Sequence, residues 1–270
     1  MFFHTGLIDL INDRKEALAI ERINSNQEIN SRTFWGHYTP LHVAIETNQP
    51  NIVQSLLVAN ANVNAITYDN WLTPLHIAAE AGDLRSIQAL VKYGPNLNAK
   101  TYRDQETALH IVTRLGFFYC VEALLGAGAI VDVQNKDGET PLHIAAKQGD
   151  TKLVELLLAK DANPNMNDNK EQTPLFLAAM SQHHECEKLL IKKGAHMGNF
   201  LERMKKLQEG YEQECKKTKK LTEEKLGLHT ELAFANQNIK ELTKKLEALQ
   251  AMIDNMPTAV PLDNTFRPGR

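Results

Sequence analysis

The chain has little of what most reactive or membrane-bound proteins need. Its three cysteines, Cys120, Cys186 and Cys215, are odd in number and widely spaced, so they form no disulfide framework and read as reduced thiols of a cytosol-like compartment. No run of about 18 uncharged apolar residues exists, which argues against a membrane span. The N-terminal residues Met1-Phe2-Phe3-His4 lack the basic start of a secretory signal and reach Asp9 early, so the expected location is cytoplasmic. Charge of one sign is also missing: 30 basic residues stand against 33 acidic ones, leaving a net charge of −3 with no field to attract nucleic acid or an anionic bilayer. No Gly-rich phosphate loop, paired-carboxylate arrangement or Ser-His-Asp spacing stands out, so neither catalysis nor a cofactor is expected. The apolar content of 43% is nevertheless enough for a core.

What the chain does have is repetition. Thr39-Pro40-Leu41-His42 recurs as Thr73-Pro74-Leu75-His76, Thr107-Ala108-Leu109-His110, Thr140-Pro141-Leu142-His143 and Thr173-Pro174-Leu175-Phe176, at offsets of 34, 34, 33 and 33 residues. Small residues follow each copy, and a second apolar cluster comes later in each period: Leu56-Leu57, Leu90-Val91, Leu124-Leu125, Leu156-Leu157-Leu158 and Leu189-Leu190. An apolar-Asn or apolar-Asp step closes most units, as in Val63-Asn64, Leu97-Asn98 and Val131-Asp132. The threonine suits a helix N-cap, and the proline suits the first turn, where its missing N–H costs nothing. Gly82, Gly116 and Gly149 fall where the first helix ends and a left-handed residue is cheap. Projected backward, the period finds a degenerate first unit, with Leu7, Leu10, Leu18, Ile20 and Ile29-Asn30 in register and Asp13-Arg14-Lys15-Glu16 as a polar outer edge.

The Thr-Pro-Leu-His-x-Ala pattern at this spacing resembles the ankyrin repeat family, with six units over about residues 5 to 199. The resemblance implies an all-α solenoid with β-hairpin tips, two antiparallel helices per unit, and partner binding through the tips and the concave helix face. It implies no catalysis. The histidines, spaced one repeat apart rather than converging, resemble the family's structural histidine, which Phe176 replaces in the last motif.

From Phe200 the 33-residue period gives way to a heptad, with Asn199 as a suitable N-cap. Apolar steps of 4 and 3 pass through Met204, Leu207, Tyr211, Leu221, Leu228, Leu232, Ile239, Leu242, Leu246, Leu249, Ile253 and Met256. Glu214, Thr218 and Lys225 interrupt the first half of the seam, so pairing is expected to be strongest from Leu228 to Met256, as a homodimer. Drawn as one coiled-coil helix over residues 200–256, the segment would be about 85 Å long at ~1.5 Å per residue. Pairing with another protein, packing back on the stack, or a hairpin hinged near Gly210 or Gly227 are the other readings of this pattern. Residues 257–270, with three prolines and no periodicity, read as a disordered tail.

Two columns of side chains are candidate contacts for an unknown protein partner. Phe34, Tyr68 and Tyr102 each lie five residues ahead of a motif threonine, in loops one residue longer than the following two, and Trp35, Tyr38 and Trp71 add to the same end. Such rings are frequent interface anchors, although they equally suit packing between neighbouring tips. Seven residues past the threonine, Glu46, Glu80, Arg114, Lys147 and Met180 run from acidic to basic, an arrangement that suits either orientation of a partner or ordinary solvated surface. His183-His184-Glu185-Cys186 lacks a second ligand pair for zinc, Cys120 sits at an apolar register position, and glutamates surround the basic run Lys216-Lys217-Thr218-Lys219-Lys220. The function expected is a non-catalytic adaptor, either a scaffold in its own cell or an effector that a bacterium delivers into host cytosol. The rival is an enzyme, or a nucleic-acid or membrane tether, seated in the helical tail.

Overall fold

The computed structural model describes residues 6–34, 36–198, 200–224 and 229–254, with side chains left out at a few further positions of the last two helices. Trp35, Asn199, Leu228 and Met256, the hinge around Gly227 and the tail 257–270 lie outside the described residues.

Among the described residues, twelve short helices form six antiparallel pairs. They are α1 (Leu7–Asn12) with α2 (Glu16–Asn24), α3 (Pro40–Glu46) with α4 (Pro50–Val58), and α5 (Pro74–Glu80) with α6 (Leu84–Val91). Next come α7 (Ala108–Arg114) with α8 (Phe118–Gly126), α9 (Pro141–Gln148) with α10 (Thr151–Ala159), and α11 (Pro174–Met180) with α12 (His184–Lys192). First helices stack on first helices and second on second, so contacts run between neighbouring units in a line. The motif leucines Leu41, Leu75, Leu109, Leu142 and Leu175 are buried, as are the alanines that let first helices approach closely. In the first unit the outer edge 13–16 is exposed as the register implies, but Leu18 is half exposed, and Ala19 and Ile23 fill the core instead. The first helices end in left-handed residues, Gly82, Gly116 and Gly149 among them. At Gly149 the conformation (φ 75°) is not the whole constraint: an added Cβ would lie 2.5 Å from the His183 ring.

The recurring polar residues prove to be the ties between units. In the second unit the Thr39 backbone N–H donates to His42 Nδ1 (3.1 Å), which places the ring proton on Nε2. Nε2 then donates across to the Leu72 carbonyl of the next unit (3.1 Å). His76, His110 and His143 repeat the arrangement onto the carbonyls of Ala99, Glu139 and Gln172. Where Phe176 stands in place of histidine, the Thr173 hydroxyl donates directly to the His196 carbonyl (2.9 Å). The closing Asn and Asp residues form a second ladder: Oδ1 of Asn30, Asn64, Asn98, Asp132 and Asn165 accepts the backbone N–H of Asn62, Asn96, Ile130, Asn163 and His196.

Two expectations change. The tips are not β-hairpins: among the described residues no strand forms, because each loop is closed by one backbone hydrogen bond, too short a ladder for a strand. The tail is not one continuous helix of about 85 Å. It is two, α13 (Phe200–Glu224) and α14 (His229–Asp254), packed against each other. Gln208 Nε2 donates to Thr243 Oγ1 (3.1 Å) and Cys215 Sγ to Asn236 Oδ1 (3.0 Å), an antiparallel register. Gln208 and Cys215, one position beyond the heptad seam of α13, thereby find polar partners within the chain. Ile239, Leu242, Leu246 and Ile253, assigned to a homodimer seam, are half-buried in this hairpin. Leu249 is buried in the same apolar cluster that includes Met197 at the end of the stack, with Met252 and Ile253 against it.

Candidate partner-binding surface

The tip loops come in two forms. In the second to fourth units Thr33, Thr67 and Thr101 close the loop, each donating its N–H to the carbonyl five residues on, at Tyr38, Leu72 and Glu106. Each threonine Oγ1 accepts the N–H of that same residue. In the fifth and sixth units Asn135 and Asp168 close a loop one residue shorter, onto Glu139 and Gln172, with the Oδ1 of each accepting two or more loop N–H groups. A branched hydroxyl caps only the longer turn, while a carboxamide or carboxylate reaches several donors of the tighter one. Aromatics occur at the crown of the longer form alone. Backbone bonds tie each tip to the one before: Tyr68 N–H to Gly36 O, Tyr102 N–H to Asn70 O, Lys136 N–H to Asp104 O and Asn169 N–H to Asp137 O, all 2.9 Å.

This spine holds Phe34, Tyr68 and Tyr102 in equivalent positions on successive tips, with exposures of 85%, 75% and 58%. Trp71 is 46% exposed, and its ring lies 4.9 Å from that of Tyr102. His37 and Tyr68 approach similarly at 5.4 Å. Tyr68, Trp71 and Tyr102 thus each contact a neighbouring ring, while Phe34, Tyr68 and Tyr102 keep more than half of their surface exposed.

Trp71 is also strained. It has φ 54°, as His37 (57°), Gln105 (53°) and Glu171 (62°) do at the same place in their loops, where the fifth unit has Gly138 (77°). A non-glycine residue there costs roughly 1–2 kcal/mol. Because the same conformation recurs in every tip, it belongs to the turn itself, and Trp71 is the bulkiest residue to occupy it.

The second column is present, but it is not a gradient of sign. Residues seven past the motif threonine sit beside the residue just before it. Arg114 therefore meets Glu106 through two bonds (3.0 and 3.3 Å), and Lys147 meets Glu139 (3.3 Å). These pairs cancel the basic end. In the second and third units the neighbouring positions hold Tyr38 and Leu72, which carry no charge to offset Glu46 and Glu80. Burial, then Asp69, Glu46 and Glu80, push the Tyr38 hydroxyl pKa up. Burial likewise raises Glu80, against the pull of Arg114 and with the help of Glu106, Glu46 and Asp69. Glu46, Glu80 and Asp69 thus gather around Tyr38 beside the aromatic tips, while Arg114 and Lys147 are paired at the far end. The pairing was hidden in sequence because it joins residues eight apart across a loop and a helix.

The remaining chemical candidates are held apart. Cys120 and Cys186 are buried thiols whose pKa burial pushes up, the opposite of an activated nucleophile. His183 contacts the Lys147 carbonyl (3.1 Å) and His184 contacts Glu187 (3.0 Å), so the His-His-Glu-Cys run does not converge. Among the described residues no group of three potential metal ligands gathers, and no helix is long and apolar enough to cross a membrane. Lys216 and Lys217 of the basic run are exposed, and the side chains of Lys219 and Lys220 lie outside the described residues.

Comparison with known families agrees with this architecture. The family model described as ankyrin repeats (3 copies) matches twice, over residues 41–135 and 109–200, which together exceed half the chain. No curated protein matches it.

Proposed function

We propose that this chain, which belongs to the ankyrin repeat family, is a non-catalytic adaptor that captures a protein segment along the tips of its second to fourth units and the adjoining concave face. Phe34, Tyr68, Trp71 and Tyr102 supply the apolar anchors, and Tyr38 with Glu46 and Glu80 supplies the wall beside them. Trp35, between Phe34 and this wall in sequence, belongs to the same proposed contact. Arg114 and Lys147, being paired, contribute orientation rather than net charge. The observation that carries the reading is the row of Phe34, Tyr68 and Tyr102, held in equivalent positions on successive tips with most of each side chain exposed. The carboxylates of Glu46, Glu80 and Asp69 around Tyr38 favour a segment carrying positive charge.

The second half of the reading is self-association through the helical tail, which doubles the binding sites and raises avidity for a multivalent partner. Free, buried thiols favour a reducing compartment such as a cytosol.

The test is affinity capture from cell extract by the full chain, compared with Tyr68→Ala/Tyr102→Ala. The double variant is expected to lose the captured protein at an unchanged melting temperature. A lowered melting temperature with capture intact means that the rings only brace neighbouring tips, and the reading is then wrong.

A further inference from the structure

The heptad spacing places Met204, Leu207 and Tyr211 on one apolar stripe of α13. The hairpin does not bury that stripe as a unit. Instead α13 is turned so that Met204, Gln208, Cys215 and Thr218 are partly covered, with Gln208 and Cys215 bonded to Thr243 and Asn236 of α14. Leu207 and Tyr211 are left on the flank, 47% and 49% exposed. On that flank they meet α14, where Met204, Leu207, Gln208, Tyr211, Leu242 and Leu246 line a predominantly apolar cleft of about 220 Å³. A further depression of about 280 Å³ shares Tyr211 and Leu242 with it and is rimmed by Ile239 and the polar Asn238, Glu241 and Lys245.

We propose that this face is where a second copy of the chain docks, hairpin against hairpin, to form a four-helix bundle. The proposal rests on the reading that the tail self-associates and says which surface does so. Three observations select a second copy as the occupant. The groove is lined by apolar residues at seven-residue spacing, and the helices that fit such a groove carry the same spacing, as these two do. The hairpin has no charge of one sign to recruit an acidic or basic partner, with eleven Lys and Arg against ten Asp and Glu between residues 200 and 256. Its flanks pair internally, as in Lys206–Glu202 and Lys245–Glu241, so two identical faces meet without repulsion. The size also fits. Helices of 25 and 26 residues are roughly 38 Å long. Two side by side offer a face on the order of 750 Å², close to the ~800 Å² per partner of a stable interface.

Sedimentation equilibrium of the full chain tests this, with two variants. The wild type is expected to be a dimer, and Leu207→Ser/Tyr211→Ser to weaken the dimer at least tenfold. The second variant, Asn236→Cys, is oxidised to form an intrachain disulfide with Cys215, which faces it, locking the hairpin shut. The locked chain is expected to remain dimeric. Placing the same lock in the Leu207→Ser/Tyr211→Ser background shows that the hairpin still forms there, since the disulfide closes only across packed helices. A monomeric wild type overturns both this proposal and self-association itself. A dimer that survives Leu207→Ser/Tyr211→Ser, or that the lock abolishes, overturns the hairpin-to-hairpin contact alone. The second result would mean that the helices must open to associate.

Discussion

In the repeat stack, Leu56, Leu90, Leu124 and Leu157 have no exposed surface, whereas in the helical hairpin only Leu249 among the described side chains is buried. The two regions use similar residues with different result. A repeat unit has a neighbour on each side, so its apolar face is covered twice and its polar residues tie across each junction. A lone pair of helices has one contact line and leaves the rest of its apolar surface in water. The stack is thereby a surface that displays side chains, and the hairpin keeps apolar side chains such as Leu207 and Tyr211 about half exposed.

The largest effect expected from this contrast is acid sensitivity confined to the stack. Burial pushes His42, His76 and His110 down to about 4 and lowers His143 as well, because each must stay neutral to accept at Nδ1. A histidine whose folded pKa is depressed stabilises the fold above its unfolded value near 6.5, and that contribution is lost as pH falls toward 4. Each of the three strongest shifts corresponds to roughly 3 kcal/mol as an upper figure. Cooperative loss of helix by circular dichroism is expected within that window; helix content unchanged down to pH 4 would show that the histidine ties are dispensable.

Next in size is the cost of cavities. Leu124→Ala in the stack is expected to cost about 3–4 kcal/mol in urea unfolding, and Leu242→Ala in the half-buried hairpin seam only about 1. Equal losses would erase the distinction between the regions. Trp71→Gly then separates stability from binding within the stack: it relieves about 1 kcal/mol of backbone strain and raises the melting temperature, yet weakens partner capture. The smallest expected effect is Glu46→Gln/Glu80→Gln, which changes stability by less than about 0.5 kcal/mol. It removes much of the salt dependence of capture, while the same change at the paired Glu139 does not.

Much of the stack was legible in sequence because each position recurs under the same physical constraint. The motif threonine, the alanines and the leucine cluster announce their burial by period alone, and Asn64 or Asn98 recurs because the same N–H must be satisfied in every unit. The aromatic column was legible for the same reason, since the one-residue difference in loop length follows the change from Thr101 to Asn135. The charge column was read incompletely. Arg114 and Lys147 stand out by period, but their neutralisation by Glu106 and Glu139 depends on how a loop folds over a helix end. Leu18 and the strandless tips were missed where a degenerate or short segment gives periodicity too little length to decide.

The linear stacking of units was determined by the amino-acid sequence itself, because a repeating apolar face can be buried only against its own copies. The path of the two tail helices was not. Their heptad is equally satisfied by a straight helix beside another chain and by two helices folded on each other. Only the tertiary structure decided between them, by satisfying Gln208 and Cys215 within the chain and turning Leu207 and Tyr211 outward. Periodicity specifies which side chains share a face, and the three-dimensional balance of polar and apolar contacts specifies what that face meets.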